Sequence, residues 1–165
     1  MKKLWVIVLL MGLLTGCGQV EIFETLGDIA HVSSTIPQPR QMVLSIPQDV
    51  SLEASASDAG VSMYSCEGYT MVLQTFSSGD LSSTVRSLSG YDPDHLQILE
   101  TTCSDHTRYD WVWTATAEEG DLICRCALLD DGNYHYVLYT MALSENAKAL
   151  GEDWNDLFAS FCLET

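Results

Sequence analysis

The chain has 165 residues, of which 47% are hydrophobic and 18% are charged. That composition is typical of one folded domain of ordinary size and excludes a wholly disordered chain. Seven basic residues against 23 acidic ones give a net charge of −16, and such a surface repels nucleic acid and anionic lipid headgroups. We therefore expect no nucleic-acid partner.

The N-terminus has the pattern of a short export signal. Lys2 and Lys3 precede an apolar run over residues 4–14, and eleven helical residues would span only about half of a bilayer's hydrocarbon core. The run therefore indicates a signal peptide and not a transmembrane anchor. Removal of residues 1–16 would leave five basic residues against 23 acidic ones, a net charge of −18.

The run ends in Leu14-Thr15-Gly16-Cys17, which resembles the lipobox of bacterial lipoprotein signal peptides. The resemblance implies that Leu14, Thr15 and Gly16 are recognised by a peptidase that cuts before Cys17, and that the Cys17 thiol carries the lipid. It also implies an exported protein, held by membrane lipid on the outer face of a bacterial membrane. In that family the lipid is a diacylglyceryl group, and its two acyl chains are sufficient for stable anchoring. The alternative is a common secretory signal with a cysteine at this point.

Residues 17–40 are predicted to form a lipidated tether that precedes a single ectodomain, residues 41–165. A hydrophobic residue recurs every three positions between residues 20 and 29, which indicates one or two helical turns with an apolar face. We interpret this part as a partly ordered spacer. The alternative is a segment that lies against the membrane or docks on the domain.

The first half of the ectodomain is predicted to hold three strands and a helix. Residues 41–46 alternate as a half-buried strand does, residues 48–60 indicate a loop, and residues 61–66 and 69–76 indicate a hairpin over Glu67-Gly68. Asp80 and Gly90 are placed to begin and end a short helix, and Asp92-Pro93 can start a further turn.

The second half is predicted to be a four-stranded meander followed by a helix. The meander strands are expected over residues 96–103, 107–114, 122–129 and 134–141, with Asp131-Gly132 as a tight hairpin turn. Ser144 is expected to cap the last helix. The apolar stripe of that helix comprises Ala147, Leu150, Trp154, Leu157, Phe158 and Phe161.

The element order predicts an α+β fold: an antiparallel β-sheet of about six or seven strands, with a short helix and a C-terminal amphipathic helix packed on it. This arrangement loosely resembles the PsbP-like fold, which is found in a photosystem assembly subunit and in several bacterial lipoproteins. The resemblance depends on the hairpin over residues 131–136 leading to Tyr139, and on the terminal helix that closes on Ala159-Ser160-Phe161.

Five cysteines remain besides Cys17. We interpret them as buried or partly buried thiols, with Cys124 and Cys126 on one face of a strand beside Leu122 and Leu128. Disulfide bonds and a metal site are the alternatives. No cofactor and no metal ligand set is predicted, because Cys-x-Cys lacks a second ligand pair at suitable spacing, and Cys103 with His106 forms only a weak ligand pair.

Catalytic signatures are absent from the sequence: there is no nucleophile elbow, phosphate loop, zinc-protease motif or dinucleotide fingerprint. We therefore predict no catalytic residues and no enzyme, and the ligand-binding residues are unknown at this stage. Residues 130–133 carry oxygen ligands of the kind that calcium prefers, but they lack the spacing of a calcium loop and are read as a turn.

The densest cluster of aromatic side chains in the sequence surrounds Arg108 and Asp110. One interpretation is a binding surface rich in Trp and Tyr. The interpretation that we favour is that Trp111 and Trp113 are core residues that face the terminal helix. The other aromatic residues of the cluster are Tyr109, Tyr134, Tyr136 and Tyr139.

The sequence thus favours a lipid-anchored, non-enzymatic binding or assembly module. A ligand- or cation-binding accessory lipoprotein is the alternative, and an enzyme is the least favoured class. Because the mature chain is strongly acidic, any protein partner steered by charge is expected to present a basic surface.

Overall fold

The computed structural model describes residues 37–47, 49–56 and 60–164. The predicted signal peptide and most of the tether, with Leu14, Thr15, Gly16 and Cys17, lie outside the described residues. Within the described part there is no helix that combines the length and the hydropathy needed to cross a membrane.

The described residues form nine strands and two α-helices. In chain order these are β1 (Met42–Val43), β2 (Ser51–Ala56), β3 (Val61–Cys66), β4 (Tyr69–Ser77), α1 (Leu81–Ser89), β5 (Leu99–Thr102), β6 (Thr107–Ala117), β7 (Gly120–Asp130), β8 (Tyr134–Leu143), α2 (Gly151–Ser160) and β9 (Cys162–Leu163). A short 3-10 turn, Pro93–His95, follows α1. Seven strands form one sheet in the order β2-β3-β4-β8-β7-β6-β5, and β1 pairs with β9 in a separate two-stranded sheet.

All pairings in both sheets are antiparallel. The predicted α+β class is therefore confirmed, together with the number of strands in the main sheet. The helix caps of α1 are also as predicted. The Asp80 carboxylate accepts the Ser83 backbone N–H at 2.9 Å, and Gly90 takes the left-handed conformation, with φ 77°, that donates its N–H to the Arg86 carbonyl.

Each face of the main sheet is covered by one helix, and we name the two layers after those helices. In the α2 layer, α2 and the two-stranded sheet pack on β4, β8 and β7. Its buried side chains include Tyr69, Met71, Tyr136, Leu138, Trp154, Leu157, Phe158 and Phe161. The α1 layer buries α1 on β6, β7 and β8. Its buried residues are Val85, Trp111, Trp113, Cys124, Cys126, Leu128 and Val137.

The α2 layer does not extend over the edge of the sheet at β5 and β6. Leu99 and Val112 lie on this face, because Leu99 is paired with Asp110, two positions before Val112. They remain 65% and 55% exposed. The helix therefore leaves an apolar strip uncovered beside it.

Two strand assignments made from the sequence are wrong. Residues 48–60 were expected to form a loop, but Ser51–Ala56 is the edge strand β2, paired with β3. Residues 41–46 were expected to join the main sheet, but only Met42–Val43 is a strand, and it pairs with Cys162–Leu163 after α2. The two errors have different causes. An exposed edge strand such as β2 shows no apolar alternation, whereas the partner of a two-residue strand such as β1 is set by long-range packing, which local sequence does not show.

Ser144 does not cap the terminal helix. Its N–H donates to the Asp121 carbonyl at 2.8 Å, which fixes the end of β8 to the β6–β7 hairpin. Successive turns follow, and α2 begins at Gly151 with Leu150 at its N-cap and no side-chain cap. The predicted apolar stripe is correct from Leu150 onward, because Leu150, Trp154, Leu157, Phe158 and Phe161 are all buried. Ala147, the first residue of the predicted stripe, lies in a turn before the helix and is only partly buried.

Candidate functional site

A fully buried histidine, His135 on β8, joins three elements in the α1 layer. Its Nδ1 lies 3.2 Å from the Thr84 hydroxyl of α1, and its Nε2 lies 3.1 Å from the Ser78 hydroxyl at the end of β4. The Ser78 hydroxyl donates to Asp130 Oδ1 at 3.0 Å. Phe76 packs against the imidazole edge-to-face, with 5.6 Å between ring centroids.

The direction of these hydrogen bonds decides what the cluster can do chemically. Because Ser78 donates its proton to Asp130, its oxygen accepts from the Nε2–H of His135, and Nδ1 then accepts from the Thr84 hydroxyl. A nucleophilic serine would instead have to donate its proton to the imidazole. In this arrangement His135 therefore connects the end of β4, the β7–β8 hairpin and α1, and it does not activate Ser78.

A pocket of about 350 Å³ lies beside this cluster, between the end of β4 and α1. Thr84 belongs to both the pocket and the histidine cluster. Its lining combines four side-chain hydroxyls, one amide and one carboxylate with two apolar side chains and a glycine. It is formed by Gln74, Phe76, Ser77, Gly79, Asp80, Ser83, Thr84, Ser87 and Leu88.

A second polar cluster holds residues 37–41, which we call the N-terminal strap, against the domain. The backbone N–H of Arg40 donates to the Tyr136 hydroxyl at 2.8 Å. The Arg40 guanidinium donates to the Glu164 carbonyl at 2.8 Å and pairs with Asp105 Oδ2 at 2.6 Å. The last residues of the predicted tether are therefore held against the domain.

Asp131 supports this clamp from the β7–β8 turn. Its carboxylate accepts the Tyr136 hydroxyl at 2.8 Å and the backbone N–H groups of Asn133 and Tyr134. Burial alone would raise the pKa of Asp131, but these hydrogen bonds, together with the charge of Arg40, lower the pKa below its ordinary value. The carboxylate is therefore ionised at neutral pH and keeps the Tyr136 hydroxyl in place.

The same turn accounts for the oxygen-rich residues 130–133. Asp130 Oδ1 accepts the Gly132 N–H at 2.9 Å, and Gly132 has φ 87°, a conformation that favours glycine. The carboxylates of Asp130 and Asp131 are thus engaged within the hairpin, in agreement with its interpretation as a turn. In the described part of the chain, no three His, Cys, Asp or Glu side chains are grouped as metal ligands.

Arg108 and Asp110 form a structural pair and not an open recognition site. The Arg108 guanidinium binds both carboxylate oxygens of Asp110, at 2.7 and 2.9 Å. It also donates to the carbonyls of Phe158 and Phe161, at 2.9 and 3.2 Å, at the C-terminal end of α2. An arginine in that position satisfies helix carbonyls that would otherwise lack a partner.

The aromatic residues near this pair are divided between the two layers. Trp111 and Trp113 are buried, as expected, but they lie in the α1 layer. The expectation that they face the terminal helix is therefore wrong. Tyr136 lies on the opposite face, under α2.

The cysteines are free thiols throughout the described residues. Cys162 is exposed, so the expectation that all five are at least partly buried is wrong for this one. Cys124 and Cys126 are buried on one face of β7, with Leu122 and Leu128, as the sequence predicts. Burial raises the pKa of the Cys124 thiol to about 11 and that of Cys126 well above its usual value. Cys103 lies in a turn whose His106 binds Asp105, at 2.9 Å.

Comparison with known proteins gives likeness of fold alone. No family model matches the chain, and no curated protein sequence matches it significantly. LpqN, described as involved in cell envelope biogenesis of Mycobacterium tuberculosis, superposes with a TM-score of 0.52 and 12% identity over 80% of this chain and 88% of LpqN. A protein of Bacteroides thetaiotaomicron superposes with a TM-score of 0.51 and 8% identity over 75% of this chain.

The alignment spans only 45% of the Bacteroides protein. A cyanobacterial PsbP of Synechocystis aligns with a TM-score of 0.43 and 7% identity, over 84% of this chain and 99% of that one. That TM-score is below 0.5, so this alignment does not establish a shared topology with PsbP. At these identities the chain shares a fold with envelope-associated LpqN, and no function follows from that alone.

Proposed function

We propose that this chain is an exported bacterial lipoprotein, anchored by acylated Cys17 on the outer face of a membrane, whose ectodomain is a non-enzymatic binding or assembly module. The observation that carries the proposal is the lipobox-like run Leu14-Thr15-Gly16-Cys17 at the end of a short apolar segment. In the described part of the chain, the contacts of Arg40 show where the predicted tether meets the domain.

The partner of this module is proposed to be a protein with a basic surface. Once residues 1–16 are removed, the chain carries 23 acidic residues against five basic ones. Of these five, Arg40, Arg86 and Arg108 are engaged by carboxylates. Such a surface attracts cationic partners and repels DNA, RNA and anionic headgroups.

A second candidate function is the binding of a small ligand by an accessory lipoprotein. The hydroxyl-lined pocket of about 350 Å³ beside Thr84 favours it. A ligand at 100 times its dissociation constant would stabilise the domain by about 2.7 kcal/mol. A thermal shift of that size with a small metabolite would support this function over the binding of a protein partner.

The anchoring is tested by replacing Cys17 in cells that process lipoproteins. Cys17→Ala is expected to leave the precursor at its full mass and without incorporated fatty acid. The matched control is Cys103→Ala, which removes a thiol from the ectodomain and is expected to be processed and acylated normally. Maturation of Cys17→Ala at residue 17, with full partition into membranes, would contradict the proposal.

The charge argument is tested with a soluble chain that begins at Gly18. Mixed with anionic liposomes or with duplex DNA at about 0.01 M salt, where the Debye length is roughly 30 Å, it is expected to bind neither. Binding to either would show a basic site created by folding and would contradict the proposed choice of partner.

A further inference from the structure

The uncovered apolar strip beside α2 lies next to an arginine that has no carboxylate of its own. Val112 on β6 is paired with Arg125 on β7, and directly paired residues point to the same face of a sheet. Leu99 and Val112, which are 65% and 55% exposed, therefore share the α2 face with Arg125. No function assigned above uses these three side chains, which together we call the Arg125 surface.

The Arg125 guanidinium is held in place by α2. Its Nη1 donates to Asn155 Oδ1 at 2.9 Å, and its Cζ lies 4.3 Å from the centroid of the Phe158 ring, in cation–π contact. Among the described residues it makes no other side-chain hydrogen bond and no salt bridge. Its position is thus fixed without a carboxylate.

The edge of the guanidinium that carries Nε and Nη2 remains available to a ligand. Neither nitrogen belongs to the buried polar atoms that lack a partner within the described residues, so solvent reaches both of them. Arg108 uses the same edge, with its Nε and Nη2, to bind the two oxygens of Asp110. Two parallel N–H donors of this kind suit both oxygens of one carboxylate.

The Arg125 surface carries a local excess of positive charge. The charges that act on Arg125 are those of Asp110 and Arg108, and Arg108 already binds both Asp110 oxygens, at 2.7 and 2.9 Å. Two guanidinium groups therefore share one carboxylate. Burial lowers the pKa of Arg125 below its ordinary value, which shows that its charge is partly withdrawn from water and is stabilised by an anion that approaches it.

We propose that the Arg125 surface binds a carboxylate side chain of a protein partner, with apolar side chains of the same segment packed on Val112 and Leu99. The carboxylate accepts hydrogen bonds from Nε and Nη2 of Arg125, as Asp110 does from Arg108. Arginine beside apolar contacts is a frequent centre of binding energy in protein interfaces. The inference rests on the proposed function and deepens it, because it names one contact that the protein partner makes.

The net charge of the chain favours a protein segment over other anions. Removal of residues 1–16 leaves a net charge of −18, which repels a nucleic acid or a membrane surface of uniform negative charge. A protein partner surrounds its carboxylate with basic groups, so the acidic domain attracts the partner as a whole and Arg125 binds the carboxylate locally. Leu99 and Val112 then bury apolar surface against the segment, which a bare anion cannot provide.

The test uses the full chain in a non-ionic detergent and three blocked pentapeptides. The first has a glutamate between two leucines and a lysine at each end. The second has glutamine in place of the glutamate, and the third has serines in place of the leucines. Binding is followed from the amide NMR shifts of Val112 and Arg125, with Gly68 in the distant β3–β4 turn as the reference.

We expect saturable shifts with the glutamate peptide and binding about fivefold weaker with each of the other two, because each lacks one part of the contact. The comparison with the glutamine peptide is stringent. That peptide carries the higher positive charge, so attraction to the acidic chain as a whole would favour it.

Matched variants identify the groups responsible. Arg125→Gln is expected to weaken binding of the glutamate peptide about fivefold and to abolish its advantage over the glutamine peptide, because both changes remove the same contact. Arg86→Gln, which removes an exposed cation of α1, should change binding less than twofold. Val112→Thr keeps the size of an exposed side chain and should weaken binding about threefold, with the exposed Leu52→Thr on β2 as its control.

Each outcome decides the inference. Equal binding of the glutamate and glutamine peptides, a glutamate preference that survives in Arg125→Gln, or equal effects of Arg125→Gln and Arg86→Gln would overturn it. A soluble short-chain phosphatidylglycerol that binds more tightly than the glutamate peptide would overturn the choice of a protein segment. The peptide results do not depend on acylation, so their failure leaves the anchored module to be tested separately at Cys17.

Discussion

The α1 and α2 layers differ in how the polar groups buried in them are satisfied. In the α1 layer the buried imidazole of His135 has a hydroxyl partner on each nitrogen, and Trp111 Nε1 is the unpartnered atom. In the α2 layer three buried atoms lack partners in the described residues, Tyr69 Oη, Thr140 Oγ1 and Trp154 Nε1. Tyr69 and Trp154 pack edge-to-face, with ring centroids 6.0 Å apart.

This contrast concerns the cost of burying polar groups in each layer. A buried polar atom without a partner costs about 1–3 kcal/mol. In the α2 layer two of these atoms, Tyr69 Oη and Trp154 Nε1, belong to side chains that pack on each other at the first turn of α2. The α1 layer instead satisfies both nitrogens of its buried imidazole.

The largest expected effect is the loss of Trp154 from the α2 layer. Trp154 is 5% exposed and packs on Tyr69, so Trp154→Ala should lower the free energy of unfolding by about 3–5 kcal/mol. Urea denaturation measures the change, with the exposed Asp156→Ala on the same helix as the control. An unchanged midpoint for Trp154→Ala would show that α2 does not hold the layer together.

The stability of the α1 layer should depend on the buried imidazole of His135. His135→Ala leaves the hydroxyls of Ser78 and Thr84 without the imidazole and opens a cavity, so we expect a loss of roughly 2–3 kcal/mol in the free energy of unfolding. His95→Ala, in the exposed 3-10 turn, should change it by less than about 0.5 kcal/mol. Equal effects of the two substitutions in thermal unfolding would remove the distinction between the layers.

Two tyrosines of the α2 layer give the sharpest contrast, because the same atom is removed from each. Tyr136→Phe loses a hydrogen bond from the Arg40 N–H and one to Asp131, and should cost about 1–2 kcal/mol. Tyr69→Phe removes a hydroxyl without a partner and should cost nothing or stabilise the domain. Melting curves of both variants measure the difference, and a larger loss for Tyr69→Phe would contradict the different roles assigned to the two hydroxyls.

The smallest effect is expected at the N-terminal strap in acid. Hydrogen bonds lower the pKa of Asp131, and those from Arg40 and His106 lower the pKa of Asp105. A carboxyl with a lowered folded-state pKa stabilises the fold above its unfolded pKa of about 4 and loses that contribution as the pH falls through the folded-state value.

The strap should therefore loosen below about pH 4 while the sheet remains folded. NMR relaxation of the Arg40 amide measures this, with the Gly90 amide at the end of α1 as the control. An Arg40 amide that stays as rigid at pH 3 as at pH 6 would show that the two carboxylates do not hold the strap.

Elements with a strong local pattern were predictable from the sequence. The apolar stripe of α2 repeats every three or four residues, and Asp131-Gly132 marks a tight turn between alternating strands. The strand β2 was missed because its described side chains are exposed, so it has no buried face to produce an alternating pattern. Alternation also placed Trp111 and Trp113 on one face, but it cannot show which helix covers that face.

The polar clusters were not predictable, because their members are far apart in the chain. Arg40 lies 96 residues from Tyr136 and 124 from Glu164, and Ser78 lies 57 residues from His135. No local spacing connects such groups, and only the register of the strands brings them together. The burial of His135 could have been predicted in part, since alternation places it on the same face of β8 as the buried Val137.

The central claim, that a lipid holds this acidic domain on a membrane, is tested most directly by the covalent structure of its N-terminus. The measurement is the mass of the mature chain, and of its N-terminal peptide, extracted from the membranes of the producing cells. The account predicts a chain that begins at Cys17 and carries a diacylglyceryl group on that thiol. A chain that begins elsewhere, or one that begins at Cys17 with an unmodified thiol and is recovered in the soluble fraction, would contradict it.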